Sequence, residues 1–178
     1  MSEVFFLAFM IKGVAVMKRF IKFLALTSVL LASPTYAAEG TYENMAMGDA
    51  VFNTIEIAGG SLMMGKATGT AVITTGTGLF KPNMTSEWTC LISALEEGGA
   101  KVIQANCEAY FAEIDSSLFS EIKRKTGDIG SEDSKGEGSM TMTGGTGQFS
   151  GMSGSCEYAI QYISVTKSVT KQICSYSM

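Results

Sequence analysis

The chain has 178 residues, of which 46% are hydrophobic and 17% are charged, and it contains no histidine. The lack of histidine excludes Ser-His-Asp and Cys-His nucleophile pairs and His-ligated zinc or copper sites. The formal net charge is −4, and without a long basic run we predict no nucleic-acid partner.

The first 37 residues have the pattern of an export signal. Three basic residues, Lys18, Arg19 and Lys22, precede the apolar run 23–32, which is too short to span a bilayer. Small residues at 35 and 37 match the −3 and −1 positions of a cleavage site. We predict a signal peptide over residues 1–37, with Met17 as a candidate natural start, and a mature domain over residues 38–178.

The alternative is an uncleaved anchor that also includes the apolar residues 4–16. It would place basic residues in lipid at a cost of about 2.5–3.5 kcal/mol each. We therefore predict a periplasmic or secreted protein with no stable membrane anchor after cleavage. The predicted mature chain has a net charge of −7, because the leader holds four basic residues and one acidic residue.

The mature chain consists of alternating or β-branched segments separated by glycine-rich breaks, which predicts strands. Segment 116–124 also matches a helical period, and we predict a strand there. The polar residues 127–137 predict a loop. The predicted strands cover residues 50–57, 61–75, 87–96, 101–111, 116–124, 139–143, 158–162 and 171–176. The fold class is all-β, a single antiparallel closed barrel of about eight strands, with a sandwich as the alternative.

Four cysteines in an exported domain predict two disulfides. Gly98 and Gly99 predict a two-residue type I′ turn, which pairs Cys90 with Cys107 at a non-hydrogen-bonded position where Cα atoms approach to about 4.5 Å. The same register pairs oppositely charged residues at 96 and 101. It also predicts one inward face, composed of Trp88, Cys90, Ile92, Ala94, Ile103, Ala105, Cys107, Ala109 and Phe111.

The second disulfide, Cys156–Cys174, follows by elimination. A zinc site built from all four cysteines would need two closely spaced pairs, which the chain lacks. The acidic loop residues Asp128, Glu132, Asp133 and Glu137 lack the spacing of a calcium loop. We predict no metal and no cofactor. The basic triplet 123–125 predicts a solvated strand face.

The most distinctive stretch is the glycine cluster around Phe149. Its spacing and surroundings do not match a dinucleotide-binding fingerprint. Glycines permit a sharp strand-to-strand corner, and Phe149 is predicted to plug its inside. The corner glycines are Gly144, Gly145, Gly147, Gly151 and Gly154.

This cluster resembles the G-G-T-G-K/Q-F/Y-x-G-x-x-G-x element of the allene oxide cyclase-like and dirigent-like β-barrels. Over residues 48–164 the chain is similar to small exported bacterial proteins of that group. The resemblance implies a β-barrel. It implies no activity, because the polar pocket residues of the cyclases and dirigent proteins have no counterparts that can be placed on this sequence.

A barrel of this size is either filled by side chains or holds one small ligand. The predicted ligand-binding residues are Trp88, Ile92, Ile103, Phe111 and Met142. The nine methionines of the mature chain predict mainly core filling, with an adaptable apolar pocket or a Cu(I) site as alternatives. Acid–base candidates for an enzyme are Glu108, Tyr110, Glu113 and Asp115.

We therefore predict an exported, non-catalytic, disulfide-bonded barrel with a small apolar ligand in its interior. The alternatives are a cyclase or isomerase acting on a hydrophobic substrate, and a structural or partner-binding protein with a filled core.

Overall fold

The computed structural model describes residues 39–178, and the predicted signal peptide, 1–37, lies outside them. Eight antiparallel strands in this part of the chain form a closed barrel. Each strand pairs with the next in sequence, and the last closes on the first. The strands are β1 (Glu39–Ile57), β2 (Gly60–Gly76), β3 (Thr85–Glu97), β4 (Ala100–Phe111), β5 (Ser116–Thr126), β6 (Lys135–Gly145), β7 (Ser153–Tyr162) and β8 (Lys167–Ser177). The predicted all-β barrel is confirmed.

All eight predicted strands are present, and several are longer than predicted. The largest difference is β1, which begins at Glu39 and not at residue 50. Its first half contains Gly40, Gly48 and Asp49, which are poor strand formers. This half pairs with β8 from Glu39 to Asp49, so tertiary pairing overrides the weak local preference. Within residues 39–178, no helix is long and apolar enough to cross a lipid bilayer.

The strand connections alternate between two ends of the barrel. We call the mouth the end that contains connections 58–59, 98–99, 127–134 and 163–166, and the base the end that contains 77–84, 112–115 and 146–152. Short 3₁₀ turns lie in two of the base connections, at Ala112–Ile114 and Gly147–Phe149.

An aromatic cluster fills the base. Phe80 and Phe149 are fully buried, and their rings stack with centroids 5.3 Å apart. Tyr42 stacks on Phe80 at 4.0 Å, while Phe111 and Tyr176 meet Phe80 edge-on at 5.8 and 5.1 Å. Phe149 therefore lies where the glycine corner predicted a plug.

The glycines of the corner serve two purposes: some adopt positive φ angles, and others allow close packing. Gly144, Gly147 and Gly151 have positive φ angles of 129°, 55° and 80°, which other residues rarely adopt. Gly145 and Gly154 instead allow close packing, since a Cβ at Gly145 would meet Phe149 and one at Gly154 would meet the backbone of β8.

Both predicted disulfides are formed. Cys90–Cys107 joins β3 to β4 with a Cα–Cα distance of 4.1 Å, and Cys156–Cys174 joins β7 to β8 at 4.0 Å. The β3–β4 register is the predicted one, and both residues of the 98–99 turn have the positive φ of type I′. Two disulfides indicate an oxidising compartment.

Candidate ligand cavity

A cavity of about 150 Å³ lies inside the barrel, between the aromatic base and the mouth. It exists because many inward positions at this level carry a side chain of one carbon, which does not reach the barrel axis. The alanines that line it are Ala46, Ala50, Ala67, Ala71, Ala105 and Ala109. The wall is therefore mainly apolar, and it also includes the Cys90–Cys107 disulfide.

Four of the five predicted ligand-binding residues line this cavity, namely Trp88, Ile92, Ile103 and Phe111. Met142 does not: it lies in the buried cluster of the base and is 2% exposed. Strand β6 runs from the mouth to the base. Met142 points inward, but it lies nearer the base than the cavity does and packs in the aromatic cluster. Met140, two residues earlier, lines the cavity instead.

Trp88 occupies a notch made by two glycines. Its indole lies over Gly48 in β1 and Gly69 in β2, and a Cβ at either position would overlap the ring. The indole can therefore lie against the wall, which leaves space in the middle of the barrel. Pairing of Gly48 with Gly69, and of Gly69 with Trp88, brings the three residues into one row.

Two polar atoms in the cavity wall are buried without a hydrogen-bond partner among residues 39–178: Asn44 Oδ1 and Trp88 Nε1. Asn44 uses its other group, since Nδ2 donates to Gln172 Oε1 at 2.9 Å. An unpaired buried polar group costs about 1–3 kcal/mol. A hydroxyl group of a ligand could donate to Asn44 Oδ1, and a hydroxyl or carbonyl oxygen could accept from Trp88 Nε1.

Arg124 points into the mouth, so the prediction of a solvated strand face for residues 123–125 is wrong for Arg124 and correct for its two lysine neighbours. Lys123 and Lys125 are exposed, whereas Arg124 is half-buried and lines the cavity. Alternate residues of a strand face opposite sides, and Arg124 continues the inward series of β5 that contains Ser120 and Ile122.

The guanidinium of Arg124 is held by three contacts at the mouth. Nε donates to Tyr158 Oη at 3.0 Å and Nη2 to Tyr162 Oη at 3.3 Å. Nη1 donates to the backbone oxygen of Asp128 at 3.2 Å. The guanidinium carbon also lies 5.8 and 6.0 Å from the centroids of the two tyrosine rings, within cation–π range.

Near the mouth, Lys101 forms an ion pair, whereas Arg124 forms none within the described part of the chain. Lys101 Nζ lies 2.8 Å from Asp128 Oδ1, and this hydrogen bond is the main reason that the pKa of Asp128 lies below its ordinary value. Burial raises the pKa of the Tyr158 hydroxyl above 10, although Arg124 opposes part of the rise. No carboxylate oxygen among residues 39–178 lies within 4.0 Å of the Arg124 guanidinium.

The acid–base candidates for an enzyme lie away from the cavity. Glu108 Oε1 accepts from Ser117 Oγ at 2.7 Å on the outer surface. Tyr110 donates to Asp115 Oδ1 at 2.9 Å, which raises the pKa of Tyr110. Glu113 accepts from the backbone and hydroxyl of Thr85. These contacts link neighbouring segments near the base and bring no pair of carboxyl groups to the cavity.

Arg124, Tyr158, Tyr162 and Asn44 are wall residues that were not predicted from the sequence. The available signal was the period of two within each strand, which places Arg124 on the same side as Ile122, and Tyr158 and Tyr162 on the same side as Cys156. In the part of the chain that the structure describes, no three His, Cys, Asp or Glu side chains are grouped to hold a metal ion. Comparison with protein-family models, with curated proteins and with solved structures finds no match to this chain.

Proposed function

We propose that this protein is an exported, non-catalytic barrel that binds a small, largely apolar molecule in its interior. The observation that carries the proposal is the cavity of about 150 Å³, whose wall is mainly apolar and combines alanine, branched aliphatic and aromatic side chains with a smaller number of polar ones. Natural proteins pack their interiors densely and leave few voids larger than a water molecule. A space of this size next to a tightly filled base supports a binding role only for a very small ligand, because a cavity below about 300 Å³ counts against an ordinary ligand pocket and favours a structural protein.

The size of the cavity limits the ligand. Ligand pockets commonly measure about 300–1,000 Å³, whereas a space of about 150 Å³ holds a molecule of the size of benzene. A single aromatic ring or a short alkyl chain therefore suits the interior. A long fatty acid or an extended isoprenoid would have to protrude through the mouth.

Trp88 provides a direct test, since it is the only tryptophan of the chain and lines the cavity. We expect small phenolics and short-chain compounds to change its emission in a saturable manner and to raise the melting temperature. A ligand at one hundred times its Kd adds about 2.7 kcal/mol to the stability. Fluorescence titration and thermal unfolding would measure both effects.

A cavity-filling variant gives the matched control. Ala105→Phe places a ring in the cavity, whereas Ala159→Phe adds the same ring at an exposed position of β7. Binding should be lost in the first variant and kept in the second. Equal binding by both variants, or no saturable change with any ligand, would contradict the proposal and favour a structural protein. Turnover that is lost in Glu108→Gln or Glu113→Gln would instead support the cyclase alternative.

The proposal includes export and cleavage after Ala37 to a soluble chain. The two disulfides support export, because they need an oxidising compartment. We expect the intact mass of protein recovered from a native periplasm or medium to be that of residues 38–178. A mass that retains residues 17–37 would refute cleavage at this site.

We also propose kinship with the allene oxide cyclase-like and dirigent-like barrels. The closed barrel of eight strands and the glycine corner around Phe149 support this relationship. The proposal concerns the fold and carries no activity from those proteins to this chain.

A further inference from the structure

The guanidinium of Arg124 retains hydrogen-bonding capacity. A guanidinium has five N–H donors, and the contacts to Tyr158, Tyr162 and Asp128 use one N–H of each nitrogen. One N–H on Nη1 and one on Nη2 remain without an acceptor among residues 39–178. Two terminal N–H groups are the donors with which arginine binds a carboxylate through both of its oxygens.

The charge of Arg124 also lacks a counter-ion in direct contact. Its closest polar partners are two tyrosine hydroxyls and a backbone oxygen, none of which is a carboxylate. The Asp128 carboxylate forms its ion pair with Lys101, and the charge of Arg124 lowers the pKa of Asp128 only as a smaller contribution, without an ion-pair contact. A partly desolvated charge without an ionic partner is unfavourable, and an anion placed beside it would offset the cost.

The barrel makes room for this side chain. A Cβ at Gly136, on the neighbouring strand β6, would overlap Nη1 of Arg124. The wall near the guanidinium includes the apolar side chains of Ile103, Ile129 and Ile160, together with the polar Ser168 and Thr170 of β8. A cationic group therefore lies at one end of a small apolar space, an arrangement complementary to a molecule with an anionic head and an apolar body.

We propose that Arg124 binds the carboxylate of a small monocarboxylic acid whose apolar part occupies the cavity. This inference rests on the proposed ligand cavity and assigns it a chemical class of ligand. The carboxylate accepts hydrogen bonds from Nη1 and Nη2, and a short alkyl chain or one aromatic ring extends towards Trp88.

Matched pairs of acids and neutral amides test this assignment. The probes are hexanoate with hexanamide and phenylacetate with phenylacetamide, titrated at neutral pH by calorimetry and by Trp88 emission. Hydrogen bonds to charged groups contribute about 1.5–3 kcal/mol, so each acid should bind about 10- to 150-fold more tightly than its amide. Arg124→Gln should remove this preference and keep amide binding, which also shows that the variant is folded.

Lys123→Gln is the control, because it removes the same charge from the adjacent, exposed position. It should leave the preference for the acid unchanged. Arg124→Lys keeps the charge but loses the two-pronged geometry and should show a reduced preference.

The outcomes separate this inference from the proposed function. Equal binding of acids and amides to the wild type overturns the role of Arg124 but leaves the cavity proposal standing. If Arg124→Gln keeps the preference for the acid, the role of Arg124 in binding is also overturned and the cavity proposal still stands. The contacts of Arg124 with Tyr158, Tyr162 and Asp128 would then be structural. Failure of both acids and amides to bind the wild type contradicts the cavity proposal and this inference together.

Discussion

Replacing Phe80 with alanine should lower the free energy of unfolding by about 3–5 kcal/mol, the range for large aromatic residues in protein cores. Phe80 has no exposed surface. Its ring contacts those of Tyr42, Phe111, Phe149 and Tyr176, with centroid distances between 4.0 and 5.8 Å. Those rings come from different strands and connections, so they cannot all move into the space that Phe80 leaves. Urea denaturation followed by circular dichroism measures the loss.

Phe119→Ala is the matched control. Phe119 faces outward from β5 and is 38% exposed, so its loss should cost much less than that of Phe80. Comparable losses in the two variants would contradict the assignment of the base as the densest part of the core. Because Phe80 lies in connection 77–84 and not in a strand, its removal leaves the hydrogen bonds between strands intact.

The β3–β4 hairpin shows what local sequence can specify. Two adjacent glycines fix the turn, and the turn fixes the register, so the positions of Cys90 and Cys107 follow by counting residues. The inner face of the hairpin follows too, because side chains alternate along each strand. Four of the predicted ligand-binding residues were found in this way.

Phe80 illustrates what local sequence does not specify. It lies between Gly78 and Pro82 in a segment with the composition of a loop, and nothing in its neighbourhood indicates that the loop folds into the barrel. Its burial depends on rings contributed by residues that lie from 31 to 96 positions away in sequence. Such contacts arise only when the barrel closes.

The cavity is a second feature of this kind. Whether a barrel is filled depends on a small difference between its internal volume and the summed volume of inward side chains. The notch for Trp88 needs Gly48 and Gly69, which lie on two other strands. Arg124 is different, because the alternation of side chains along β5 places it on the same inward face as Ile122 and could be read from the sequence. Its two lysine neighbours instead favoured the interpretation of residues 123–125 as a solvated surface.

Removing both disulfides should lower the free energy of unfolding by about 6 kcal/mol, with about 3 kcal/mol from each loop in the chain-entropy model. The two cross-links span 17 and 18 residues, and the loops do not overlap in sequence. Around the barrel, β5 and β6 separate the two bridged hairpins on one side and β1 and β2 on the other. Their contributions should therefore add.

Double-alanine variants at 90 and 107, at 156 and 174, and at all four positions allow this test by urea denaturation. Reduced wild-type protein is the control, because it keeps every sulfur atom and loses only the cross-links. The joint loss should equal the sum of the separate losses within about 0.5 kcal/mol. Since small domains have a total stability of about 5–15 kcal/mol, the loss of both bridges should remove about 40% or more of it. A joint loss well below the sum would show that the two hairpins stabilise the barrel through a shared interaction, and not through independent restriction of the unfolded chain.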